Sequence, residues 1–282
     1  MRILLCLNRE FMSNLALNRL LPALDGHEFD IVLSRQVGRS SAPKARAIEE
    51  WQGFEKALTE EQLFPLIEQR GIDRPWFQSF AQLAQGSVSG RLHEFAAINR
   101  DDGLRFVRDF QPDLIVSIRF GQIFKPPLTG IPRFGILNLH SGILPDYRGI
   151  LATFWAMLHG ETDIGCTLHY VVDPGIDTGP IISIHRKPFM RERSLLWHVA
   201  SLYDGGTAML ADALAALSCG HRTEGTPQPP GAGRYFSYPG DDVLRQFFSR
   251  GYRLYTNEDY AELFDAYGVK LKAGSPLRFT LM

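Results

Sequence analysis

Asn138 and His140 stand two positions apart at the end of an apolar run, within the stretch "ILNLHSGILPDYRGI" (136–150). Residues i and i+2 of an extended strand project to the same face, so the amide and the imidazole are expected side by side. The run is typical of a buried parallel strand, and ligands of open α/β sheets bind beyond the carboxyl ends of such strands. The spacing therefore predicts a polar site where this strand ends.

The chemistry that an amide and an imidazole support together is acyl transfer. When an amine attacks a formyl or acyl carbon, negative charge develops on oxygen, and an aimed N–H donor stabilises it by roughly 3–4 kcal/mol. An imidazole can also relay a proton near neutral pH. The glycine-rich turn "DPGIDTGPII" (173–182) adds Asp173 and, between Gly175 and Gly179, Asp177. Taken singly, such residues are usually structural: a hydrogen-bonded core histidine, a capping asparagine, a turn-forming aspartate.

The elements that must position these residues follow from hydrophobic periodicity. A strand–helix–strand pattern opens the chain and predicts an α/β fold with a parallel sheet and a crossover helix. Strands are predicted over residues 2–7, 29–34, 113–118, 135–140, 164–172 and 179–189. Helices are predicted over residues 13–24, 60–71, 77–83, 103–110, 153–159, 194–217, 241–250 and 258–267.

Composition indicates an ordinary globular protein. The chain has 282 residues, 45% hydrophobic, with a net charge of −1, which argues against a large nucleic-acid-binding face. Three scattered cysteines indicate reduced thiols and no zinc cage, so no metal is expected. The N-terminus lacks a signal-peptide pattern, and no apolar stretch approaches the roughly 20 residues that span a bilayer. We expect a cytoplasmic protein without a membrane partner.

Other catalytic signatures are missing from the sequence. No GxGxxG follows the first strand, and there is no phosphate loop, HExxH or GxSxG pattern. Ser141 follows His140 directly, so the two side chains are expected on opposite faces of a strand, which disfavours a nucleophilic serine–histidine pair.

The chain divides by composition into three parts. Residues 1–217 carry the α/β pattern, and residues 218–235 are rich in glycine and proline and read as a linker. Residues 236–282 read as a small C-terminal extension with two short helices. Its aromatic residues are expected either to form a homodimer contact or to pack on their own domain.

Four segments together resemble the formyltransferases that use N10-formyltetrahydrofolate. "NLHSGILPDYRG" is similar to that family's signature, and "GIDTGPII" to its second block. "DLIVSIRFGQIFKPPL" resembles the strand and loop that precede the signature, and "TDIGCTLHYVVDPG" falls between the blocks. The resemblance covers most of residues 1–215 and is most specific over 113–189.

The resemblance implies a Rossmann-like catalytic domain with N10-formyltetrahydrofolate as cosubstrate. Asn138, His140 and Asp177 would be catalytic: the first two would hold the developing oxyanion, and Asp177 would set the charge of the imidazole and assist deprotonation of the amine. Residues interpreted as contacting the folate are Arg119, Phe120, Gly121, Gln122, Ile123, Asp173 and Gly175. Tyr147 and Arg148, from the signature, are interpreted as substrate-binding.

Departures from the family pattern bear on the substrate. Gly142 stands where many members have serine, and Pro180 stands where the initiator-tRNA enzymes have aspartate. Those enzymes carry a barrel-like RNA-binding domain, whereas only 65 residues follow Leu217 here (282 − 217). With the net charge, this disfavours tRNA as a substrate and nucleic acid as a partner. Basic residues of one loop, Arg35, Arg39 and Lys44, could meet a substrate phosphate but are more often simply solvated.

A small-molecule amine is therefore the expected acceptor, with an amino sugar nucleotide ahead of a hydroxylamine such as hydroxyornithine. Hydrolysis of formyltetrahydrofolate would use the same three residues, but such hydrolases usually carry an N-terminal regulatory domain, and this chain starts at the first strand. A non-enzymatic folate-binding module is disfavoured because the three polar residues are intact.

Overall fold

The computed structural model describes residues 1–35, 44–72, 75–271 and 279–281. The strands are β1 Arg2–Asn8, β2 Glu28–Ser34, β3 Leu92–Glu94, β4 Leu114–Ile118, β5 Ile136–His140, β6 Tyr147–Gly149, β7 Asp163–Tyr170, β8 Ile181–Pro188, β9 Arg234–Phe236, β10 Val269–Leu271 and β11 Phe279–Leu281. The α-helices are α1 Phe11–Leu20, α2 Arg46–Lys56, α3 Phe64–Gln69, α4 Phe80–Gln85, α5 Asp101–Phe110, α6 Ala152–His159, α7 Leu195–Ser218, α8 Asp241–Ser249 and α9 Asn257–Asp265.

A mostly parallel sheet of seven strands forms the centre of the molecule, in the order β3-β2-β1-β4-β5-β7-β8. The first five strands of this order pair in parallel, whereas β7 pairs antiparallel with both β5 and β8. Strands β1 and β4 are buried along almost their whole length, as expected for parallel strands covered on both faces. The predicted α/β fold with a Rossmann-like, mainly parallel sheet is thus confirmed.

Helices cover both faces of the sheet, and two of them differ most from prediction. The helix predicted over 13–24 ends at Leu20 and continues as a 3₁₀ turn over Leu21–Leu24, because Pro22 lacks the N–H that an α-helix needs. The helix predicted over 60–71 begins earlier, at Arg46, and passes through a π-helical stretch over Ala57–Leu63. The long helix α7 begins at a Ser194 cap whose hydroxyl accepts from the N–H of Trp197.

The C-terminal helices pack on other helices, α9 on α7 and α8 on α2. Phe264 and Tyr267 lie against Phe11 of α1, with ring centroids 5.2 and 5.8 Å apart. Most of the aromatic side chains of this extension are buried within the chain, while Phe248 is 43% exposed. The tail therefore contributes to the hydrophobic core, and the homodimer stays a prediction. No helix among the described residues is long and apolar enough to cross a membrane.

Candidate active site

Strand β5 lies between a parallel and an antiparallel neighbour and ends with the two residues singled out by the sequence. Asn138 is half-buried, and His140 is 8% exposed. Asp177, 8% exposed, comes from the loop between β7 and β8 and lies over the same face. Its carboxylate accepts from Asn138 Nδ2 at 3.3 Å and lies 3.5 Å from Nδ1 of His140. The structure thus brings the three predicted catalytic side chains together.

The backbone of the Asp177 turn is held in an uncommon conformation. Asp177 has φ of +55°, a left-handed conformation that few residues other than glycine adopt readily. Asp173 stabilises the start of the turn, because its carboxylate accepts from the N–H of Gly175 at 2.6 Å. Gly179 closes the turn so tightly that a Cβ there would lie 1.7 Å from the carbonyl oxygen of Tyr170.

Asp177 stays ionised although it is buried. Burial alone would raise the pKa of its carboxyl, but attraction to the side chains of His140 and His169 and the hydrogen bond from Gly149 outweigh burial and lower the pKa to about 2. The N–H of Gly149 donates to Oδ2 at 2.7 Å. Since these partners stabilise the carboxylate, the site holds a fixed negative charge at neutral pH.

His140 is oriented by the loop that follows it. Its Nε2 donates to the carbonyl oxygen of Tyr147 at 2.7 Å, since a carbonyl can only accept, and this leaves Nδ1 facing Asp177. Gly142 gives the ring its room: a Cβ there would lie 2.6 Å from Nε2 of His140 and 2.5 Å from Cβ of Ala152. A serine at position 142, which the family resemblance would predict, does not fit here, while the backbone carbonyl of Ser141 accepts from the hydroxyl of Thr153.

His169 belongs to the cluster and was missed by the sequence analysis. It lies directly opposite Asn138 in the antiparallel pair of β5 and β7, so both side chains occupy one face. Its Nε2 lies 3.1 Å from Asn138 Nδ2 and 3.5 Å from the Asp177 carboxylate. Its Nδ1 donates to the carbonyl of Tyr170 at 2.9 Å, which makes Nε2 the acceptor for the Asn138 amide. The cross-strand register, had it been known, would have indicated this residue.

Tyr235 is a second residue that the sequence analysis missed. Strand β9 pairs in parallel with β6, and Arg148 is paired with Tyr235 in the register. The ring lies against Gly149, where a Cβ would be 2.7 Å from a ring carbon, and the side chain is 47% exposed. Burial and then the charge of Asp177 raise the pKa of Tyr235, so the hydroxyl lies within electrostatic reach of the carboxylate. An exposed aromatic ring therefore borders the cluster.

The residues interpreted as folate-binding form the loop after β4. Arg119 makes an ion pair with Glu10, so its guanidinium is already engaged. Gln122 fixes the loop from within, since its side-chain amide accepts from the N–H of Ile98 and donates to the carbonyl of Phe95. Phe120 is half-buried and Ile123 is 45% exposed, while the N–H of Gly121 donates to Ser34. The loop thus offers apolar surface and backbone, and its role in folate binding stays a prediction.

The two residues interpreted as substrate-binding are placed differently from each other. The hydroxyl of Tyr147 donates to Glu161 at 2.6 Å, so this buried side chain is used within the protein, and only its carbonyl meets His140. Arg148 is half-buried, forms no ion pair with the residues that the structure describes, and has a buried Nε without a hydrogen-bond partner there. Arg148 is the better placed of the two for an anionic substrate group.

The basic loop gives no support to a phosphate site. Arg35 pairs with Glu94 at 2.7 Å, and Lys44 donates to Gln52 at 3.0 Å, while Arg39 lies outside the described residues. Within the described ranges, no group of three or more His, Cys, Asp or Glu side chains is arranged to hold a metal ion.

Known proteins resemble this chain in both sequence and fold. Residues 49–202, which contain Asn138, His140, His169 and Asp177, match the model of the formyl transferase family. The methionyl-tRNA formyltransferase of Trichlorobacter lovleyi is 34% identical over 133 residues, which are 46% of this chain and 40% of that protein. The enzyme of the same name from Deinococcus radiodurans is 35% identical over 48% of this chain and 38% of its own length. The chain thus matches about two fifths of the length of these relatives.

Solved structures share the fold at low sequence identity. A sugar N-formyltransferase from Shewanella sp FDAARGOS_354 superposes with a TM-score of 0.52, at 15% identity, over 100% of this chain and 97% of that one. A 4-N formyltransferase from Francisella tularensis gives a TM-score of 0.53 at 12% identity, over 100% and 96% of the two chains.

Proposed function

The chain belongs to the formyl transferase family, and we propose that it transfers a formyl group from N10-formyltetrahydrofolate to the amine of a small molecule. One observation carries the proposal: Asn138 and His140 share one face of the sheet, and the carboxylate of Asp177 lies over that face, 3.3 Å from Asn138 Nδ2 and 3.5 Å from His140 Nδ1. They lie inside the segment that matches the family, and an N–H donor, an imidazole and a carboxylate are the groups that acyl transfer to an amine requires.

The reaction forms a bond between the amine nitrogen and the formyl carbon, and negative charge develops on the formyl oxygen. The bond from that carbon to N10 of the folate then breaks, and N10 takes a proton while the amine loses one. Asn138 stabilises the oxyanion through Nδ2, which at present donates to Asp177 and His169. A formyl oxygen that enters the cluster competes for this N–H, and the developing charge strengthens the new bond.

Asp177 acts mainly through its charge. A carboxyl with a pKa of about 2 is a weak base, so it is a poor final acceptor for the proton of an amine at neutral pH. Its carboxylate lies 3.5 Å from Nδ1 of His140 and so helps to hold the ring in place, and a proton carried at Nδ1 can stabilise the oxyanion or pass to N10. The cosubstrate would be held by the apolar loop after β4, with Phe120 and Ile123 as its walls.

An amino sugar nucleotide is the acceptor that we favour. After residue 217 the described residues fold as α8, α9 and short strands and bury most of their aromatic side chains in the core. Arg148 is free of ion pairs among the described residues and suits a phosphate, and the ring of Tyr235 suits a sugar or a base. Hydroxylamine acceptors and hydrolysis of the cosubstrate remain the alternatives among small substrates.

Methionyl-tRNA is the second candidate acceptor, because the curated relatives carry that name. The experiment that separates these possibilities is an acceptor screen. The protein is incubated with N10-formyltetrahydrofolate and either amino sugar nucleotides, hydroxyornithine, charged initiator tRNA or buffer alone, and products are searched for the added mass of one carbonyl group. Formylation of a sugar nucleotide is expected, and loss of formyl groups with no amine present would indicate a hydrolase.

Variants of the cluster test the chemistry itself. His140→Ala and Asp177→Asn are each expected to lower kcat by about a hundredfold or more, because each removes charge stabilisation in the transition state. Urea unfolding must show that both variants are folded. Unchanged turnover in either folded variant would reject the assignment of that residue.

A further inference from the structure

The Gly/Pro-rich segment 218–235, which reads as a linker in the sequence, is bound along the edge of the sheet. Thr226 and Ile181 form an antiparallel bridge, with N–H···O distances of 2.8 and 2.7 Å in the two directions. Strand β8, which begins at Ile181, is the last strand of the sheet, so the segment covers backbone groups that would otherwise be open.

Two glycines of the segment explain its composition. A Cβ at Gly225 would lie 2.7 Å from Cβ of Pro180, and a Cβ at Gly233 would lie 1.6 Å from the carbonyl oxygen of Pro145. Both positions need glycine because the backbone lies directly against neighbouring loops, one after Asp177 and one after His140. The segment is therefore fitted to the loop that carries Asp177 and to the loop that follows His140.

Gln228 lies between these glycines and contacts the Asp177 turn. Its Nε2 donates to the carbonyl oxygen of Asp177 at 2.9 Å and to that of Gly179 at 2.7 Å. One side-chain amide thus satisfies two carbonyls of a three-residue stretch. Both bonds hold the backbone on either side of Thr178, where the chain leaves the left-handed conformation of Asp177.

The direction of the Asp177 carboxylate depends on that conformation. A left-handed residue costs about 1–2 kcal/mol relative to the right-handed helical region, so the turn needs outside contacts to persist. If Asp177 relaxed to negative φ, its Cβ would point elsewhere, and the carboxylate would lose Gly149 and Asn138 together. Gln228 supplies contacts that favour the strained backbone over the relaxed one.

We propose that Gln228 is a positioning residue for Asp177. Through Gln228, the segment 218–235 completes the active site. This proposal rests on the proposed function only because it takes Asp177 as the group whose placement controls the rate of formyl transfer. The side chain contacts no reacting atom. It acts by holding the turn, so its loss should reduce turnover more than it affects binding of the cosubstrate.

The test compares three substitutions at one position. Gln228→Met keeps the length of the side chain but has no N–H donor, and it is expected to lower kcat about tenfold while KM for the folate stays within about twofold. Gln228→Lys restores donors and should keep most of the turnover, whereas Gln228→Glu places a carboxylate against two carbonyls and should be at least as impaired as Gln228→Met. Gln246→Met, on the exposed face of α8, is the matched control and should be unchanged.

A double-variant cycle shows whether the effect passes through Asp177. In the Asp177→Asn background, Gln228→Met should cause no further loss of kcat, because the group that it positions is already removed. A tenfold loss that persists in this background would overturn the proposal, as would full activity of the folded Gln228→Met. If Gln228→Met does not fold, Gln228→Lys and Gln228→Glu are compared instead. Equal kcat values for these two variants would overturn the proposal.

A separate measurement covers the case in which no formyl transfer is found. Urea unfolding between pH 5 and pH 3 reads the placement of the Asp177 carboxylate, since its lowered pKa makes the folded state lose stability as the pH falls. Gln228→Met should weaken this pH dependence, and Gln246→Met should not. An identical pH dependence in the wild type and Gln228→Met would overturn the positioning role, independently of the reaction.

Discussion

The main-chain N–H of Gly149 donates to the carboxylate of Asp177 at 2.7 Å, which joins the end of strand β6 to the loop after β7. The same glycine has φ of +95° and faces the C-terminal segment, so a Cβ there would lie 2.2 Å from the carbonyl oxygen of Phe236. Gly149 therefore connects Asp177, the signature segment 138–149 and strand β9.

Substitution of Gly149 by alanine should damage stability and activity together. A residue with a side chain is strained at this positive φ, and the new Cβ would collide with the backbone of Phe236. We therefore expect Gly149→Ala to lower the free energy of unfolding by more than about 2 kcal/mol. The turnover should fall at least tenfold because the donor to Asp177 is displaced. Urea unfolding and formyl-transfer kinetics measure the two effects.

Gly160 provides the matched control for this substitution. It also has positive φ, +79°, but a Cβ there meets no atom within 4 Å. Gly160→Ala should therefore cost only about 1 kcal/mol, with unchanged kcat. Equal losses in the free energy of unfolding at the two positions would mean that the close contact of Gly149 with β9 does not affect stability.

His169 gives a prediction about the amide of Asn138. In His169→Phe the ring remains but the acceptor for Asn138 Nδ2 is lost, so the amide becomes less ordered. We expect kcat to fall about tenfold, a loss of about 1.4 kcal/mol of transition-state stabilisation. His169→Gln can accept from the same N–H and should recover most of the rate. Equal rates in the folded Phe variant and the wild type would show that His169 only fills space.

The Asp177 carboxyl predicts how stability depends on pH. Its pKa of about 2 in the folded protein lies below the usual value near 3.9 of an unfolded chain. Between these values the unfolded chain binds more protons, so stability is present above pH 4 and is lost as the pH falls towards 2, by about 2 kcal/mol. Asp177→Asn should lack this part of the acid sensitivity. Parallel stability curves for the two proteins between pH 5 and pH 3 would contradict the prediction.

The sequence was sufficient for the part of the fold that is encoded locally. Apolar runs such as 113–118 and 135–140 predicted the central strands, and the two-residue spacing predicted that Asn138 and His140 face the same way. The hydrophobic period of an element and the spacing of its polar residues are local properties, which can be recognised within a few neighbouring residues. The family resemblance added Asp177, which lies 37 residues after His140 in the chain and yet within 3.5 Å of it in space (177 − 140).

The missed residues depend on contacts that no local pattern records. His169 joins the cluster because β7 runs antiparallel to β5 in a particular register, and a shift of one residue would turn it to the other face. Gln228 and Tyr235 lie in a segment whose glycines and prolines are typical of a linker, because tight backbone contact and flexibility require the same residue types. Such contacts emerge only when the whole chain is folded.

Glu55, on α2, shows a long-range contact of this kind and yields the last prediction. It is 9% exposed and accepts from the hydroxyl of Tyr260 on α9 at 3.3 Å. Burial, and then repulsion by Glu10, outweigh the attraction of Arg119 and raise the pKa of Glu55 to about 8. The folded protein therefore keeps a proton on Glu55 at neutral pH, whereas the unfolded chain loses it near pH 4.3. Between these two values the folded state binds more protons, so stability falls as the pH rises.

Glu55→Gln removes this loss of stability while keeping a similar side-chain shape. It should raise the free energy of unfolding, relative to the wild type, by on the order of 2 kcal/mol more at pH 8 than at pH 5. Urea unfolding at the two pH values measures the difference, with the exposed Glu49→Gln on the same helix as the control. A Glu55→Gln curve that parallels the wild type across this range would show that Glu55 is already ionised in the folded protein.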